Sequence, residues 1–440
     1  MAKTNKQRIF LLVIAFAIMS PISAQNSRNI EYLTLEACVE KALESNFSIL
    51  ISGNNLEISK NNVTLAPFLP TLSASSRQSA NSGVQRNINE DGDRVRSTTS
   101  GNSVVNGANL NWRLFDGFSM FATREKQEEL LRQGEYNFRS VSENLVMKIS
   151  AQYFNIISLQ NKFKLLNEVV SISRERYEQA LLKYNIGSGS GLEQMQAKIY
   201  LNSDSSSLLQ ATENIKNAYI ELFKLMNIPL ESKYSIKDTI IPEPQLDVDH
   251  LISNADEKNT TLLALKAGEV VARLDTKIAR ASRYPVLDLS AGYNYNFNQN
   301  GYFPSRYNES NGLNWGFSLS VPIFSGNEIN RRISNAKIQQ ENARLTFEQA
   351  RQELMSELQQ LYNIYQYHLR MIAFEEESRQ AALLNLEAAR ERYRLGSLSG
   401  IEFRDIQLSY LNSADRRLNA IYQAKISEIT LHLMAGELFQ

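Results

Sequence analysis

Hydrophobic positions along this chain follow two rhythms. In the second half, Ile329, Ile333, Ala336, Ala343, Phe347, Ala350, Leu354 and Leu361 recur at steps of three, four or seven residues, the spacing of a helical seam packed as in a coiled coil. Just upstream the period is two. Leu287, Leu289, Ala291, Tyr293, Tyr295 and Phe297 alternate with Asp288, Ser290, Gly292, Asn294, Asn296 and Asn298, and Trp315, Phe317, Leu319 and Val321 alternate with Asn314, Gly316, Ser318 and Ser320, as strands do. The first half carries a fainter copy: Ala108, Leu110, Trp112 and Leu114 alternate with Gly107, Asn109, Asn111 and Arg113, and residues 71–77 are polar but strand-like. The polar stretches 81–101 and 299–312 read as loops between strands. Each half thus predicts one β-hairpin, at about residues 70–114 and 285–322, inside an otherwise helical sequence.

Helix breakers are placed unusually. Residues 118–186 contain no proline and one glycine, Gly134, and residues 327–395 contain neither. Ordinary helices run about 11–12 residues, so these stretches predict two helices that each span on the order of 100 Å. A self-comparison relates them. KYNIGSGSGLE (183–193) aligns with RYRLGSLSGIE (392–402), and the same offset of 209 places Phe115-Asp116-Gly117 on Phe324-Ser325-Gly326, Tyr153 on Tyr362 and Leu222 on Leu431. Pro70 and Pro285 correspond at an offset of 215, so the hairpin regions differ in length. The chain reads as a tandem duplication of a domain-sized unit.

On the strands, one face is aromatic and aliphatic while the other is almost wholly Asn, Ser, Gly and Asp. A half-buried sheet in a water-soluble domain also alternates, but long strands with an aromatic outer face and a small, polar inner face match those of membrane barrels. Four strands are too few to close a barrel, for which about eight are needed. An open edge in a bilayer leaves N–H and C=O groups without partners, so several chains would have to pool their strands. The composition, 43% hydrophobic and 21% charged, looks water-soluble because the helices dominate the average. Lys+Arg and Asp+Glu both number 47, which argues against nucleic acid as a partner. The single cysteine, Cys38, and three scattered histidines (His250, His368, His432) leave no disulfide and no metal site to expect. No nucleophile triad or phosphate loop stands out, so no cofactor is expected and an enzyme is disfavoured.

At the N-terminus, Lys3, Lys6 and Arg8 precede an apolar run from Ile9 to Met19, then Ser20, Pro21 and the small Ala24. That is the layout of a secretory signal peptide over residues 1–24; the run is too short for a membrane span of roughly 20 residues. Cys38 lies beyond it, on the apolar face of a helix.

The two glycine turns carry the candidate chemistry. Gly187 and Gly396 suit the left-handed position after a helix end. Ser190 and Ser399 stand three residues before Glu193 and Glu402, the spacing of a capping box, so both glutamates have a purely structural reading as caps. Asp405 lies one turn beyond Glu402 on the same helix face, and its counterpart in the first half is Gln196. Repeated around a symmetry axis, Glu402 and Asp405 would form acidic rings that favour cations.

These turns, [KR]-Y-x-[IL]-G-S-x-S-G-[IL]-E, together with two repeats of helix, hairpin and long helix pair, resemble the TolC family of outer-membrane efflux channels over nearly all of the mature chain. The resemblance implies an α+β membrane protein in which a long α-helical coiled-coil barrel continues a transmembrane β-barrel shared between protomers, four strands from each chain of a homotrimer. It implies repeats at 25–227 and 251–436, a linker at 228–250 and a tail at 437–440. The protein would sit in the outer membrane lipid of a diderm bacterium with its helices in the periplasm, as a passive exit duct for small toxic compounds or secreted proteins. The helix-turn tips, Gly187, Ser188, Gly396 and Ser397, would meet a periplasmic adaptor protein and an inner-membrane pump. Glu402 and Asp405 match the residues that narrow the entrance in this family, and Tyr393 with Glu193 matches its closing latch. A latch arginine found in some members falls on Leu398 here. The alternative is a periplasmic coiled-coil adaptor or structural protein without a pore, which the aromatic hairpins oppose.

Overall fold

The computed structural model describes residues 31–88, 90–300 and 307–438; the signal peptide expected at 1–24 lies outside them. Two halves carry the same succession of elements. The first has α1 (Leu35–Ser45), α2 (Phe47–Asn62), strands β2 (Thr71–Ile88) and β3 (Arg94–Phe115), α3 (Ser119–Asn185) and α4 (Gly191–Leu225). The second has α5 (Val248–Lys258), α6 (Thr260–Ala281), β5 (Val286–Asn300), β6 (Tyr307–Ser320), α7 (Glu328–Arg394) and α8 (Gly400–Ala435). A two-residue strand β1 (Glu31–Tyr32) pairs in parallel with β4 (Tyr234–Ser235) and ties the start of the chain to the segment between the halves.

The breaker-free stretches are single helices. α3 and α7 are each 67 residues long, about 100 Å. Neither stands alone. Beside α3 lie α4 and then α2, and beside α7 lie α8 and then α6, with α6 also packed on α3. Two asparagines splice the shorter helices end to end. Asn46 caps α2 by accepting from Ser48 N at 2.8 Å and donates Nδ2 to Leu225 O at the end of α4, 2.8 Å. Asn259 does the same between α6 and α8, accepting from Leu262 N at 3.1 Å and donating to Met434 O at 2.9 Å. Each asparagine thereby satisfies orphan groups of two helices at once.

The seam read from sequence is covered in the folded chain: Ile333 and Ala336 are buried and Ile329, Ala343, Phe347, Ala350, Leu354 and Leu361 half-buried. It continues as Leu358, Tyr365, Leu386, Ala389 and Tyr393, all buried. The opposite faces stay wet. Cys38 is fully buried on α1, among Tyr153, Ile149 and Leu222. Tyr153 and Tyr362, related by the 209 offset, each donate to a backbone carbonyl of the chain at mid-height, Leu33 O and Leu246 O, both at 3.3 Å.

All four long strands join one antiparallel sheet in the order β2-β3-β5-β6. One sequence expectation fails here. The stretch 81–101 is not a loop: β2 and β3 pair without a break from Thr71↔Asn111 to Ile88↔Arg94. Ser, Asn, Gly and Arg make the ladder there because the described side chains are almost all exposed, so only the backbone has to be satisfied. The second loop is shorter than read from sequence, β5 and β6 pairing as far as Gln299↔Tyr307; residues 301–306 lie outside the description. Registry places Asn109, Asn294 and Asn314 on one face, each opposite a glycine (Gly292, Gly107 and Gly312, and Gly292). A Cβ on Gly107 would come within 2.5 Å of Asn294 Oδ1, so glycine lets the amides lie flat along this wall. Leu72, Trp112, Tyr293, Leu313, Trp315, Phe317 and Leu319 share the other face and are exposed.

The strand-to-helix turns are alike. Gly117 and Phe118 both have positive φ (68° and 71°), as do Gly326 and Asn327 (58° and 65°). Gly117 is required by contact as well: a Cβ there would sit 2.6 Å from Ala281 O, where α6 reaches the sheet. Among the described residues no helix is long and apolar enough to cross a membrane.

Candidate functional site at the helical tips

At the far end from the sheet, α3 turns into α4 and α7 into α8. Both long helices end in the same way. Gly187 N donates to Tyr184 O (3.0 Å) and Ser188 N to Lys183 O (2.9 Å); Gly396 N donates to Tyr393 O (3.1 Å) and Ser397 N to Arg392 O (2.9 Å). The glycines have φ of 76° and 74°, so each turn closes its helix with a left-handed glycine. The hydroxyls of Ser188 and Ser397 donate to the same carbonyls, of Lys183 and Arg392. All four of these tip residues are exposed.

The two glutamates, equivalent by sequence, are used differently. Glu402 completes the expected capping box: it accepts from Ser399 N at 3.1 Å while Glu402 N donates to Ser399 Oγ at 3.2 Å. The Ser399 N–H first, and then its hydroxyl at 2.9 Å, hold the Glu402 carboxyl below the usual range. The first turn forms no such box. Ser190 Oγ accepts from Leu192 N, and Glu193 instead accepts the hydroxyl of Tyr393 at 3.0 Å. The capping expectation for Glu193 is therefore corrected. A tertiary donor outcompetes the local one, because Tyr393 is buried (2% exposed) and its hydroxyl has to find an acceptor. Burial first, and then the Glu193 contact, push the Tyr393 phenol up to about 12. Asp405 is exposed, on the same face of α8 as Glu402, and makes no hydrogen bond or ion pair with the described residues. Leu398 is half-buried against the apolar cluster of Phe403 and Tyr410.

Sequence reading missed the charged core behind these residues. Arg404 on α8 grips Asp204 on α4 with two hydrogen bonds, 2.7 and 2.8 Å. Ser173 on α3 donates to Asp204 at 2.5 Å, and Gln407 donates to Ser173 at 2.9 Å. Asp204, Ser173, Arg404 and Gln407 are all buried, so three helices are joined by a bidentate ion pair away from water. A signal was present in the sequence. Ala197, Asp204, Ala211 and Ala218 are spaced by sevens, so a carboxylate occupies a seam position where its neighbours are alanine. Arg176 is likewise on the α3 seam with Val169, Ser173 and Ala180. Between the two turns lies an open groove of about 750 Å³, lined by Lys183, Glu193, Gln196, Leu398, Ser399 and Gly400.

With this geometry in place, known proteins give it a context. The profile of the family described as outer membrane efflux protein matches residues 38–227 and 251–437, the two segments that hold the two sets of elements. The outer membrane protein TolC of Escherichia coli K12 is 20% identical over 86% of this chain and 77% of its own length. The alkaline protease secretion protein AprF of Pseudomonas aeruginosa is 21% identical over 76% of this chain and 70% of its own. Among solved structures, the CmeC outer membrane channel of Campylobacter jejuni superposes with a TM-score of 0.75 at 18% identity, covering 92% of this chain and 86% of that one.

Proposed function

The chain belongs to the outer membrane efflux protein family and is an outer-membrane exit duct for efflux or secretion, and from that premise we propose that it works as a homotrimer whose sheets close one shared barrel. One observation carries the sharing of strands. Leu114 and Phe115, which close β3, are half-buried against β5 of their own chain. Their counterparts at offset 209, Ile323 and Phe324, are 94% and 88% exposed, because β6 has no neighbour on that side within the chain. The first half is covered by the second, and the second waits for the first half of another copy. Setting β6 of one copy beside β2 of the next continues the antiparallel order and removes the open edges that a bilayer forbids. The exposed Trp315, Phe317, Tyr293 and Leu313 then face lipid, and the Asn, Ser and Gly face lines the lumen.

That wall is mostly uncharged and polar, its charges being Arg77 and an Arg113–Asp288 pair at 3.0 Å. It offers little to choose one cargo from another. This fits a passive duct whose cargo, small toxic compounds or a secreted protein, is selected by an inner-membrane pump and a periplasmic adaptor. One relative is named for alkaline protease secretion, which supports protein as one class of cargo. The adaptor would meet the exposed turns at Gly187, Ser188, Gly396 and Ser397. Glu402 and Asp405 would ring the entrance, and Tyr393 with Glu193 would tie it shut. Native mass spectrometry of the detergent-extracted protein tests the assembly: three copies are expected, and a monomer that persists in lipid would overturn the shared barrel.

A further inference from the structure

Arg176 is the least accounted-for charge in the protein. Its side chain is buried (3% exposed), and none of its three guanidinium nitrogens has an acceptor in good hydrogen-bond geometry among the described residues, though it lies near enough to the Tyr393 hydroxyl to pull that phenol down against burial and Glu193. It is held instead by rings, with its guanidinium carbon 5.0 Å from the centre of Tyr200 and 5.8 Å from those of Tyr393 and Phe403. Tyr200 also receives Arg404 at 5.1 Å, so two buried arginines share one ring, and the buried carboxylate beside them, Asp204, is engaged by Arg404 and Ser173. A buried ion without an acceptor is costly, and cation–π contacts offset only part of that.

The missing acceptor is within reach. A Cβ on Gly400 would sit 2.8 Å from Arg176 Nη2 and 3.6 Å from Glu193 Oε1, so the two atoms are no farther apart than those two lengths together. A Cβ at 400 would require the guanidinium to shift. Glu193 is half-buried and is free of helix-capping duty, since Ser190 caps α4 without it. At present its carboxylate holds Tyr393.

We propose that Arg176 is a positioning residue for the tip, the second partner between which Glu193 exchanges. When Glu193 accepts from Tyr393, the start of α4 is tied to the end of α7, so the two turns are fastened together. When Glu193 swings to Arg176, the bond stays within the α3–α4 pair, and the α7–α8 turn is held less tightly, by Lys183 Nζ on Tyr393 O at 3.5 Å and, deeper, by Arg404 on Asp204. Each state leaves one group short: the tied state an unpaired guanidinium, the released state an unpaired phenol. That balance makes the tip bistable instead of permanently closed. The inference builds on the duct reading for its consequence, the opening of the entrance, but the exchange itself is a property of one chain.

The test uses full-length protein in lipid with spin labels at Ser188→Cys and Ser397→Cys, one on each turn; the native Cys38 is buried and does not label. The wild type is expected to show a short and a longer separation between turns. Arg176→Met should leave only the short one, Glu193→Gln and Tyr393→Phe should enrich the longer one, and Arg176→Lys should restore the wild-type mixture. In a Glu193→Gln background, Arg176→Met should change nothing further. An unchanged distribution in Arg176→Met, or the same shift with and without Glu193, would overturn the exchange. If Arg176→Met does not assemble, Arg176→Gln replaces it in the same comparison. Current recorded across bilayers from these proteins keeps the two ideas apart. A tip that answers to Arg176 in a protein passing no current would support the exchange and refute the duct.

Discussion

Glu193 and Glu402 occupy the same place in two nearly identical turns and do different work. Local chemistry fixes Glu402, because Ser399 is three residues away and supplies both donors. Distant chemistry claims Glu193 through Tyr393, 200 residues along the chain. We expect Glu402→Ala with Asp405→Ala to weaken block by multivalent cations and raise conductance in planar bilayers; unchanged block would leave capping as the only work of Glu402. A second residue-scale prediction concerns acid stability. Glu376 has its carboxyl lowered to about 2, first by the hydrogen bond from Arg379 and also by Arg417. A carboxyl depressed in the folded state stabilises it above the unfolded value, near 4.5, and that support fades as pH falls toward 2. Glu376→Gln should therefore lower thermal stability at neutral pH and flatten the acid limb between those pH values, so that variant and wild type converge near pH 2; an identical limb in the variant would contradict the assignment. At this scale, the sequence showed which side chains could cap and which glycines would turn left-handed. It could not show that a buried phenol would claim one cap, since that depends on which helices become neighbours.

Among the elements, the long helices were the most legible. Their ends, read from the last glycine or proline, agree within a residue with α3 and α7, because nothing between them interrupts the 1.5 Å rise and a covered seam runs their length. The strands were half legible. Where one face is aromatic, alternation announced them; along 81–101 both faces are wet, and a Ser/Asn/Gly ladder has the composition of a loop. Two predictions belong here. Asn46→Ala and Asn259→Ala each remove a cap and a helix-to-helix splice, and each should cost about 1 kcal/mol or somewhat more, read as a lowered unfolding midpoint; Ser45→Ala beside the first splice should cost less. On the sheet, Phe317→Arg on the aromatic face should destabilise the lipid-inserted protein by about 2–4 kcal/mol, whereas Asn314→Arg on the opposite face should be tolerated. Equal costs on the two faces would refute the assignment of inside and outside.

At the level of the whole molecule, a single chain is an unfinished object. Its sheet has two open edges, β2 and β6, and its most exposed hydrophobic side chains, Ile323 and Phe324, stand beside one of them. Ile323→Asp with Phe324→Asp should therefore give folded monomers by light scattering, with α-helical content kept by circular dichroism. The balanced composition concealed this, because about 100 Å of amphipathic helix outweighs four strands in any average. The copy number was never written in the four strands; only the need for more than one copy was. The measurement that bears most directly on the central claim is single-channel recording from the purified full-length protein in a planar bilayer. A continuous duct predicts discrete, long-lived current steps with a preference for cations, absent from the Ile323→Asp, Phe324→Asp protein. An assembled protein that enters the bilayer and passes no current in any state would contradict it.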